Sequence, residues 1–331
     1  GNSNRYRPGF NLWQTFFSFP SCALLQEAFF TSFIYLLYDD AVLTPPYLST
    51  FLLVSWDAVV EWGDDVKAVS EDEAVVLVNH QATGDVCTLM MCLQDKGTVV
   101  RQMMWLMDHI FKYTNFGIVS LIHGDFFIRQ VTYPFYYFLI EHLEKYYRSR
   151  NRKWIVLFPE GGFLRKRRET SQAFAKKNNL PFLQHVTLPR LGATQVILKT
   201  LVAPQENGTP AGGDAVIKES KSKGLQWVID ATIAYPKGEP IDIQTWILGY
   251  RQPTVTHVHY RIFPIKDVPA EPEALSQWLY QRFIEKEDLL THFYETGRKE
   301  SMFKQDSERQ RTLTCAIKEF RVYVWRGMFR V

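Results

Sequence analysis

Residues 74–85, which read AVVLVNHQATGD, constrain the fold more than any other stretch of the chain. The stretch opens on an apolar, largely β-branched run at 74–78 and turns polar before His80, a length and composition typical of a buried strand. The polar residues that follow, ending in Asp85, are types that begin helices, and 86–94 is compatible with one. His80 is therefore predicted to lie between the carboxyl end of a strand and a helix, where open α/β sheets bind ligands.

Segments of the same two kinds alternate along the rest of the chain. The sequence predicts further strands at 59–63, 98–105, 126–128, 154–158, 225–235 and 254–265, a helix or a helix plus a loop at 108–120, and helices at 131–150 and 271–294. Strands that alternate with helices are typical of an α/β protein. We therefore expect a central mixed sheet flanked by helices.

The first part of the chain, residues 1–62, is rich in aromatic and apolar residues. Its segments at 21–38 and 41–60 are interrupted by polar residues or prolines, so neither is the clean run of about 20 apolar residues that spans a bilayer. Both suit helices that lie in one leaflet of a membrane. A hydrophobic cap on a soluble core is the alternative. We expect a hydrophobic helical segment that associates with the membrane.

Composition divides the remainder into four parts. A core is predicted at 63–203, followed by a surface linker at 204–224, which is rich in Gly, Lys, Ser and Asn. Residues 225–300 complete the same domain, and residues 301–331 form a basic tail with interleaved aromatic residues. The tail suits contact with anionic lipid, and an amphipathic surface helix is the alternative.

Charge and cysteine content exclude several classes of partner. A formal net charge of +3 is too small to indicate a nucleic-acid-binding protein. The cysteines have neither the spacing of a zinc site nor that of a disulfide framework, which favours a reducing compartment such as the cytosol. His257 and His259 alternate on one face of a predicted strand, but no carboxylate or cysteine at ligand spacing accompanies them. We interpret both histidines as structural and expect no metal.

His80 and Asp85 form the first candidate for chemistry. If the turn between them folds back, the carboxylate of Asp85 accepts a hydrogen bond from the imidazole and holds it in one tautomer. Such a pair can take a proton from an attacking hydroxyl, because the carboxylate stabilises the imidazolium that forms. The alternative is that His80 ends the strand and Asp85 caps the helix.

Residues 79–85 resemble the N-H-x4-D motif of the glycerolipid acyltransferases, the lysophosphatidic-acid acyltransferase family. Within that family, residues 78–97 and 103–129 resemble the branch that acts on lysophosphatidylglycerol. Three further motifs follow in the family's order, and the resemblance covers residues 56–297.

The family's second motif resembles Gly124-Asp125-Phe126-Phe127-Ile128-Arg129. An arginine at the end of a strand presents a planar fork of donors to a phosphate. The resemblance implies that Gly124 and Arg129 contact the acceptor's head group, and a surface salt bridge is the alternative for Arg129.

The third motif resembles Phe158-Pro159-Glu160-Gly161-Gly162, in which the glycines allow close approach of the backbone to a ligand. The resemblance implies substrate contact here, with Glu160 accepting from a lipid hydroxyl or bracing Arg129. Many family members carry Thr or Ser where this chain has Gly162, so no hydroxyl is assigned there.

The fourth motif, in its Leu-Pro-Arg form, resembles residues 186–190, which implies that Pro189 and Arg190 contribute to acyl-donor binding. By physics alone this segment is a strand that ends at a proline. The basic run at 165–168 could attract an anionic head group or the phosphates of coenzyme A, although a charge run is usually a solvated face.

The resemblance implies an enzyme on the endoplasmic reticulum membrane, with its active site facing the cytosol. It would transfer a fatty acyl group from acyl-CoA, as co-substrate, to a hydroxyl of a lysophospholipid that carries glycerol or ethanolamine. His80 would act as general base and Asp85 would orient it, without a bound cofactor, and backbone amides near Gly84 are candidate oxyanion donors. A lipid or thioester hydrolase and a non-catalytic lipid-binding module are the alternatives. The absence of a GxSxG elbow argues against an acyl-enzyme route.

Overall fold

The computed structural model describes residues 58–93, 96–129, 134–202, 224–242, 254–296 and 311–313. The strands are β1 (Ala58–Gly63), β2 (Glu73–Val78), β3 (Met103–Asp108), β4 (Phe126–Ile128), β5 (Trp154–Leu157), β6 (Leu225–Ala234), β7 (Val255–Pro264) and β8 (Arg311–Leu313). The α-helices are α1 (Asp85–Leu93), α2 (Asn115–His123), α3 (Pro134–His142), α4 (Leu164–Lys177), α5 (Leu191–Leu201) and α6 (Pro272–Thr296). A π-helical stretch at Leu143–Tyr147 extends α3.

The strands form one sheet of eight in the order β4-β3-β5-β2-β6-β7-β1-β8. The first five strands of that order pair in parallel, β7 runs antiparallel to β6 and parallel to β1, and β8 runs antiparallel to β1. The predicted central mixed sheet flanked by helices is confirmed. Because β4, β3, β5, β2 and β6 are parallel, their carboxyl ends share one edge of the sheet. We call it the carboxyl edge.

Strand β2 lies near the middle of the sheet and is covered on both faces. Its alternating side chains enter two cores, with Val76 and Val78 packed on the side of α1 and Val75 and Leu77 on the side of α3, α5 and α6. Parallel strands buried on both faces carry continuous apolar runs rather than alternating ones. The run in β2 therefore fits its central position.

Two predicted strands are wrong in part or in whole. The strand predicted at 98–105 begins only at Met103, where it meets β5, and a 3-10 turn at Val99–Gln102 precedes it. The strand predicted at 186–190 is not formed. The backbone N–H groups of Thr187 and Leu188 donate to the side chains of Glu160 and Ser171 instead of to a neighbouring strand.

The basic run at 165–168 belongs to the first turns of α4, a helix that the sequence prediction missed along with α5. Several predicted segments lie mainly outside the described residues: 1–62 apart from the start of β1, the linker at 204–224 apart from Gly224, and the tail at 301–331 apart from β8. In the described ranges, no helix combines the length and apolar character needed to cross a membrane.

Candidate active site

The turn that follows β2 folds back as predicted. The imidazole Nδ1 of His80 lies 2.8 Å from Oδ2 of Asp85, the first residue of α1. The Asp85 side chain is fully buried, whereas 12% of the His80 side chain is exposed. Because Asp85 occupies Nδ1, Nε2 is the ring nitrogen left to take a proton.

The Asp85 carboxylate is fixed by four hydrogen bonds. Besides His80, Oδ2 accepts from the backbone N–H groups of Gln81 at 2.7 Å and Ala82 at 3.1 Å. Oδ1 accepts from the hydroxyl of Tyr235 at 2.6 Å. A buried carboxylate with this many donors cannot rotate away from the imidazole.

The imidazole of His80 is also held by two aromatic rings. It stacks on Phe158 with ring centroids 4.0 Å apart and tilts against Phe163 at 4.4 Å. The backbone carbonyl of His80 accepts from the N–H of Leu164 at 2.8 Å, which places the start of α4 beside it. The ring is therefore oriented before any substrate arrives, as general-base catalysis requires.

Glu160 lies in the turn after β5 and points inward rather than toward a ligand. Its Oε1 accepts from the backbone N–H of His80 at 2.6 Å, and its Oε2 accepts from the N–H and hydroxyl of Thr187 at 2.8 and 2.7 Å. Only 2% of the residue is exposed. The prediction that Glu160 braces Arg129 is wrong, because Glu160 joins the His80 turn to the segment before α5.

The two glycines after Glu160 adopt backbone conformations that side chains disfavour. Gly161 has a φ of 69° and Gly162 a φ of 153°. A Cβ at Gly161 would lie 3.2 Å from the Arg190 side chain, and one at Gly162 would lie 3.2 Å from that of Arg167. The turn therefore brings its backbone against two arginines, as glycine permits.

The third and fourth motifs are brought together. The N–H of Arg190 donates to the carbonyl of Pro159 at 2.8 Å, so the residues before α5 run beside the Glu160 turn. Pro189 is buried here and Arg190 is exposed. His80, Asp85, the Glu160-Gly161-Gly162 turn and the Pro189-Arg190 pair therefore form one continuous structure.

The two ends of the second motif are separated. Arg129 follows β4 at the carboxyl edge and is exposed. Strand β4 is three strands from β2, about 14 Å away at about 4.8 Å per strand. Gly124 lies at the other end of β4, where its left-handed backbone caps α2. The prediction that Gly124 lies with the substrate-binding residues is wrong, because three residues of strand separate it from this edge.

Comparison with known proteins agrees with these motifs. A protein-family model described as "Acyltransferase" matches residues 60–199, and one described as "Acyltransferase C-terminus" matches residues 246–318. The chain is 77% identical over 254 residues to the acyl-CoA:lysophosphatidylglycerol acyltransferase 1 proteins of Homo sapiens and Mus musculus, an alignment that covers 74% of this chain and 69% of each relative. The chain belongs to the acyltransferase family.

A solved structure also resembles this acyltransferase. The 1-acyl-sn-glycerophosphate acyltransferase PlsC from Thermotoga maritima aligns with a TM-score of 0.44 and 13% sequence identity, covering 81% of this chain and 95% of that chain. Family membership makes the chain an acyltransferase enzyme. It favours acyl transfer over the hydrolase and the non-catalytic binding module that the sequence left open.

The prediction from sequence missed two residues of the acyltransferase site. Tyr235 directly follows β6 and reaches Asp85 from 150 positions away in the chain. The amide of Asn79 forms two hydrogen bonds with the backbone of Ile233, at 3.0 and 2.8 Å, and so joins the His80 turn to β6. The strand predicted at 225–235 ends at Tyr235, but no local pattern indicates that β6 lies beside β2.

Other side chains near the acyltransferase site have structural roles. The N–H of Gly84 donates to the carbonyl of Ile241 at 2.8 Å, so it is not the oxyanion donor that we considered. Burial raises the pKa of the Cys87 thiol to about 12, and Asp85 adds to the rise, which makes that thiol a poor nucleophile.

His257 accepts from the indole N–H of Trp62 at 2.9 Å. Within the described ranges, no cluster of three or more His, Cys, Asp or Glu residues could hold a metal ion.

The hydroxyl of Tyr235 is open to a direct test. We expect Tyr235→Phe to lower kcat by roughly tenfold, because it removes a hydrogen bond to a buried carboxylate, worth about 1.5–3 kcal/mol. The measurement is the pH–rate profile together with kcat. Tyr147→Phe removes a buried hydroxyl that bonds to Lys153 on another part of the sheet and should leave both unchanged. An unchanged profile in Tyr235→Phe would mean that this hydroxyl does not act through Asp85.

Glu160 predicts a pH dependence of stability. Burial raises the pKa of its carboxyl from the ordinary 4.5 to about 8, and hydrogen bonds from Thr187 and His80 limit the rise. The folded protein keeps this proton at pH values where the unfolded chain has lost it. The group's contribution to the free energy of unfolding is therefore complete below pH 4.5 and falls as the pH rises toward about 8.

The neutral isostere Glu160→Gln should remove that dependence. We expect urea unfolding to show the wild type losing stability relative to Glu160→Gln as the pH rises from about 5 to about 8. Glu169→Gln, an exposed position on α4, should follow the wild-type curve. Parallel curves for the wild type and Glu160→Gln would contradict the raised pKa.

Proposed function

We propose that this acyltransferase moves a fatty acyl group from acyl-CoA to a free hydroxyl of a lysophospholipid, with lysophosphatidylglycerol as the leading acceptor and lysophosphatidylethanolamine as the second. The observation that carries the proposal is the His80 imidazole at the carboxyl edge, with Nδ1 2.8 Å from the buried Asp85. The names of the human and mouse relatives, at 77% identity, support acyl-CoA as the donor and lysophosphatidylglycerol as the acceptor.

The reaction follows from the hydrogen bond between Nδ1 of His80 and Asp85, which leaves Nε2 to accept a proton. Nε2 of His80 accepts the proton of the acceptor hydroxyl as its oxygen attacks the carbonyl carbon of the thioester. The Asp85 carboxylate stabilises the imidazolium that forms. The tetrahedral intermediate collapses by breaking the carbon–sulfur bond, and the leaving thiolate takes the proton from the imidazolium. The products are a phospholipid ester and free coenzyme A, and the enzyme returns to its starting state.

The basic start of α4 supports binding of a phosphate-bearing donor. Arg165, Lys166 and Arg168 are exposed within the first turns of the helix, and α4 begins beside the backbone of His80. Positive side chains in a first turn oppose the helix dipole, so a bound anion would stabilise this end of the helix. The phosphates of coenzyme A are anions of that kind, and their capture here would bring the thioester toward His80.

Arg129 supports binding of the acceptor's head group. It is exposed at the same edge of the sheet as His80, about 14 Å from β2 by strand spacing, and its guanidinium is a planar group of donors that can bind the phosphate of the acceptor. We expect Arg129→Ala to raise the KM for the lysophospholipid by about tenfold or more, since it removes a charged hydrogen bond. Arg148→Ala, another exposed arginine, is the matched control. A normal KM and rate in Arg129→Ala would make Arg129 a structural residue.

We also propose that the reaction needs no bound cofactor, because it involves proton transfer and acyl transfer without oxidation or reduction. The same proposal assigns the enzyme to the endoplasmic reticulum membrane, with the carboxyl edge facing the cytosol where acyl-CoA is available. Fractionation of cells with protease protection of the intact chain tests the location. Dialysis against EDTA tests the requirement for a metal, and it should leave the rate unchanged.

The deciding experiment is an acceptor screen with the purified full chain. Lysophospholipids that differ in head group are each mixed with labelled acyl-CoA, and the products are identified by mass spectrometry. Formation of phosphatidylglycerol from lysophosphatidylglycerol at the highest kcat/KM supports the proposal. Release of free fatty acid without new phospholipid would show hydrolysis instead.

A further inference from the structure

Helix α2 presents three aliphatic residues outward and two polar residues inward. Ile118, Leu121 and Ile122 are 50%, 44% and 46% exposed, whereas Ser120 and His123 are buried. The exposed residues follow the i, i+3, i+4 spacing of a single helix face. On a helix that packs against a protein core this face would point inward. The arrangement in α2 is the reverse, and it suits a helix whose outer surroundings are apolar.

The elements on either side of α2 extend this exposed face. The exposed apolar side chains are Ile110 and Tyr113 in the 3-10 turn at His109–Tyr113 and Tyr136, Tyr137, Phe138 and Ile140 in α3. The elements are in contact, because His142 of α3 donates to the carbonyl of Gly124 at 2.9 Å, and Arg150 donates to that of Ile122 at 2.6 Å. We call these exposed side chains of the turn, α2 and α3 the apolar surface.

From residue 108 to residue 150, exposed basic residues outnumber exposed acidic ones: they are Lys112, Arg129, Lys145, Arg148 and Arg150 against Glu141 and Glu144. Between residues 109 and 140 the sequence contains one acidic residue, Asp125, which is 3% exposed. The formally positive residues of this stretch are Lys112 and Arg129, and both are exposed. An apolar face bordered by more cations than anions is complementary to a bilayer that contains anionic head groups. Exposed tyrosines add to this match, because their rings favour the boundary between lipid and water.

The apolar surface begins next to the candidate active site. Phe111 of the 3-10 turn packs edge-on against Phe163 with ring centroids 6.4 Å apart, and Phe163 tilts against the imidazole of His80 at 4.4 Å. Arg129 follows β4 at the carboxyl edge. A lipid that moved along this surface would therefore approach His80 beside Phe111 and Phe163.

We propose that the apolar surface lies at the boundary between the head groups and acyl chains of a bilayer that contains anionic lipid. The acceptor then reaches His80 from the membrane by crossing this surface. The identity of that acceptor rests on the proposed function, but the contact with the bilayer does not.

The contact with lipid is tested by photochemical crosslinking of the full chain. A photoreactive benzoylphenylalanine replaces Leu121 in one variant and Phe182, which is 62% exposed outside this surface, in the control. Each is mixed with vesicles of phosphatidylcholine and phosphatidylglycerol and illuminated. Lipid adducts at position 121, in excess over position 182, support the proposal. Adducts that join position 121 to another segment of the same chain or to a second copy would overturn it.

The route of the acceptor is tested by kinetics. In Ile118→Ser/Leu121→Ser/Ile122→Ser, we expect kcat/KM for an acceptor embedded in vesicles to fall about tenfold, while kcat/KM for a water-soluble, short-chain acceptor stays within about twofold. Phe182→Ser should change neither. Because the substituted positions are exposed, the melting temperature of the triple variant should not fall. Equal loss on both acceptors would overturn the route. A wild type inactive on both acceptors would contradict the proposed function, and the crosslinking result would still stand.

Discussion

Replacing His80 with alanine is expected to lower kcat for acyl transfer by about a thousandfold, within the range of about 10²–10⁴ that a positioned general base contributes. The imidazole is the group at the carboxyl edge that is both held by a carboxylate and partly exposed. Asp85→Asn should cost a similar factor, because an amide neither fixes the tautomer nor stabilises the imidazolium. Initial rates at saturating acyl-CoA and lysophospholipid measure both effects.

Folding should survive the loss of the imidazole. In His80→Ala the Asp85 carboxylate keeps its hydrogen bonds from Gln81, Ala82 and Tyr235 and so does not become an unpaired buried charge. Circular dichroism and thermal unfolding check this directly. His292→Ala, a histidine of α6, is the matched control and should keep wild-type activity. A folded His80→Ala enzyme with a rate within a few fold of the wild type would remove the proposed base.

Glu160→Ala is expected to damage both stability and catalysis. It leaves the backbone N–H groups of His80 and Thr187 and the hydroxyl of Thr187 without their acceptor in a buried site. We expect the free energy of unfolding to fall by about 3 kcal/mol. We also expect kcat to fall about a hundredfold, because a displacement of His80 of about 1 Å costs that much.

Urea unfolding and steady-state kinetics separate this structural role from direct contact with substrate. Glu169→Ala removes an exposed carboxylate from α4, and its free energy of unfolding should stay within about 0.5 kcal/mol of the wild type. The opposite pattern, in which Glu160→Ala raises only the KM for lysophospholipid at wild-type stability, would restore the substrate contact that the family resemblance implies.

The interactions that the sequence predicted correctly are mainly local. His80 and Asp85 are five positions apart, so the strand and helix patterns around them were enough to predict that they meet. The apolar run at 74–78 correctly predicted a buried strand. A strand that is covered on both faces carries such a run, and β2 is covered on both faces. Each of these inferences depends on a few consecutive residues, whose conformation limits where their side chains can point.

The features that could not be predicted depend on direction or on distant pairing. The residue types of the Glu160 turn were informative, but the inward direction of the carboxylate follows from Thr187, 27 positions away. The second motif could not reveal that Gly124 and Arg129 lie at opposite ends of a short strand. Tyr235 becomes a partner of Asp85 only because β6 pairs with β2, an arrangement that no local pattern encodes.

The placement of β6 has a consequence for when the enzyme becomes competent during its synthesis. A growing chain that has reached residue 202 already contains all four motifs, but it lacks the hydroxyl that covers one oxygen of Asp85 and the backbone that anchors Asn79. The proposed base is completed only after Tyr235 has been synthesised. In the proposed mechanism, acyl transfer therefore depends on the pairing of β6 with β2, and a stalled or clipped product that ends before β6 would contain the four motifs without a completed base.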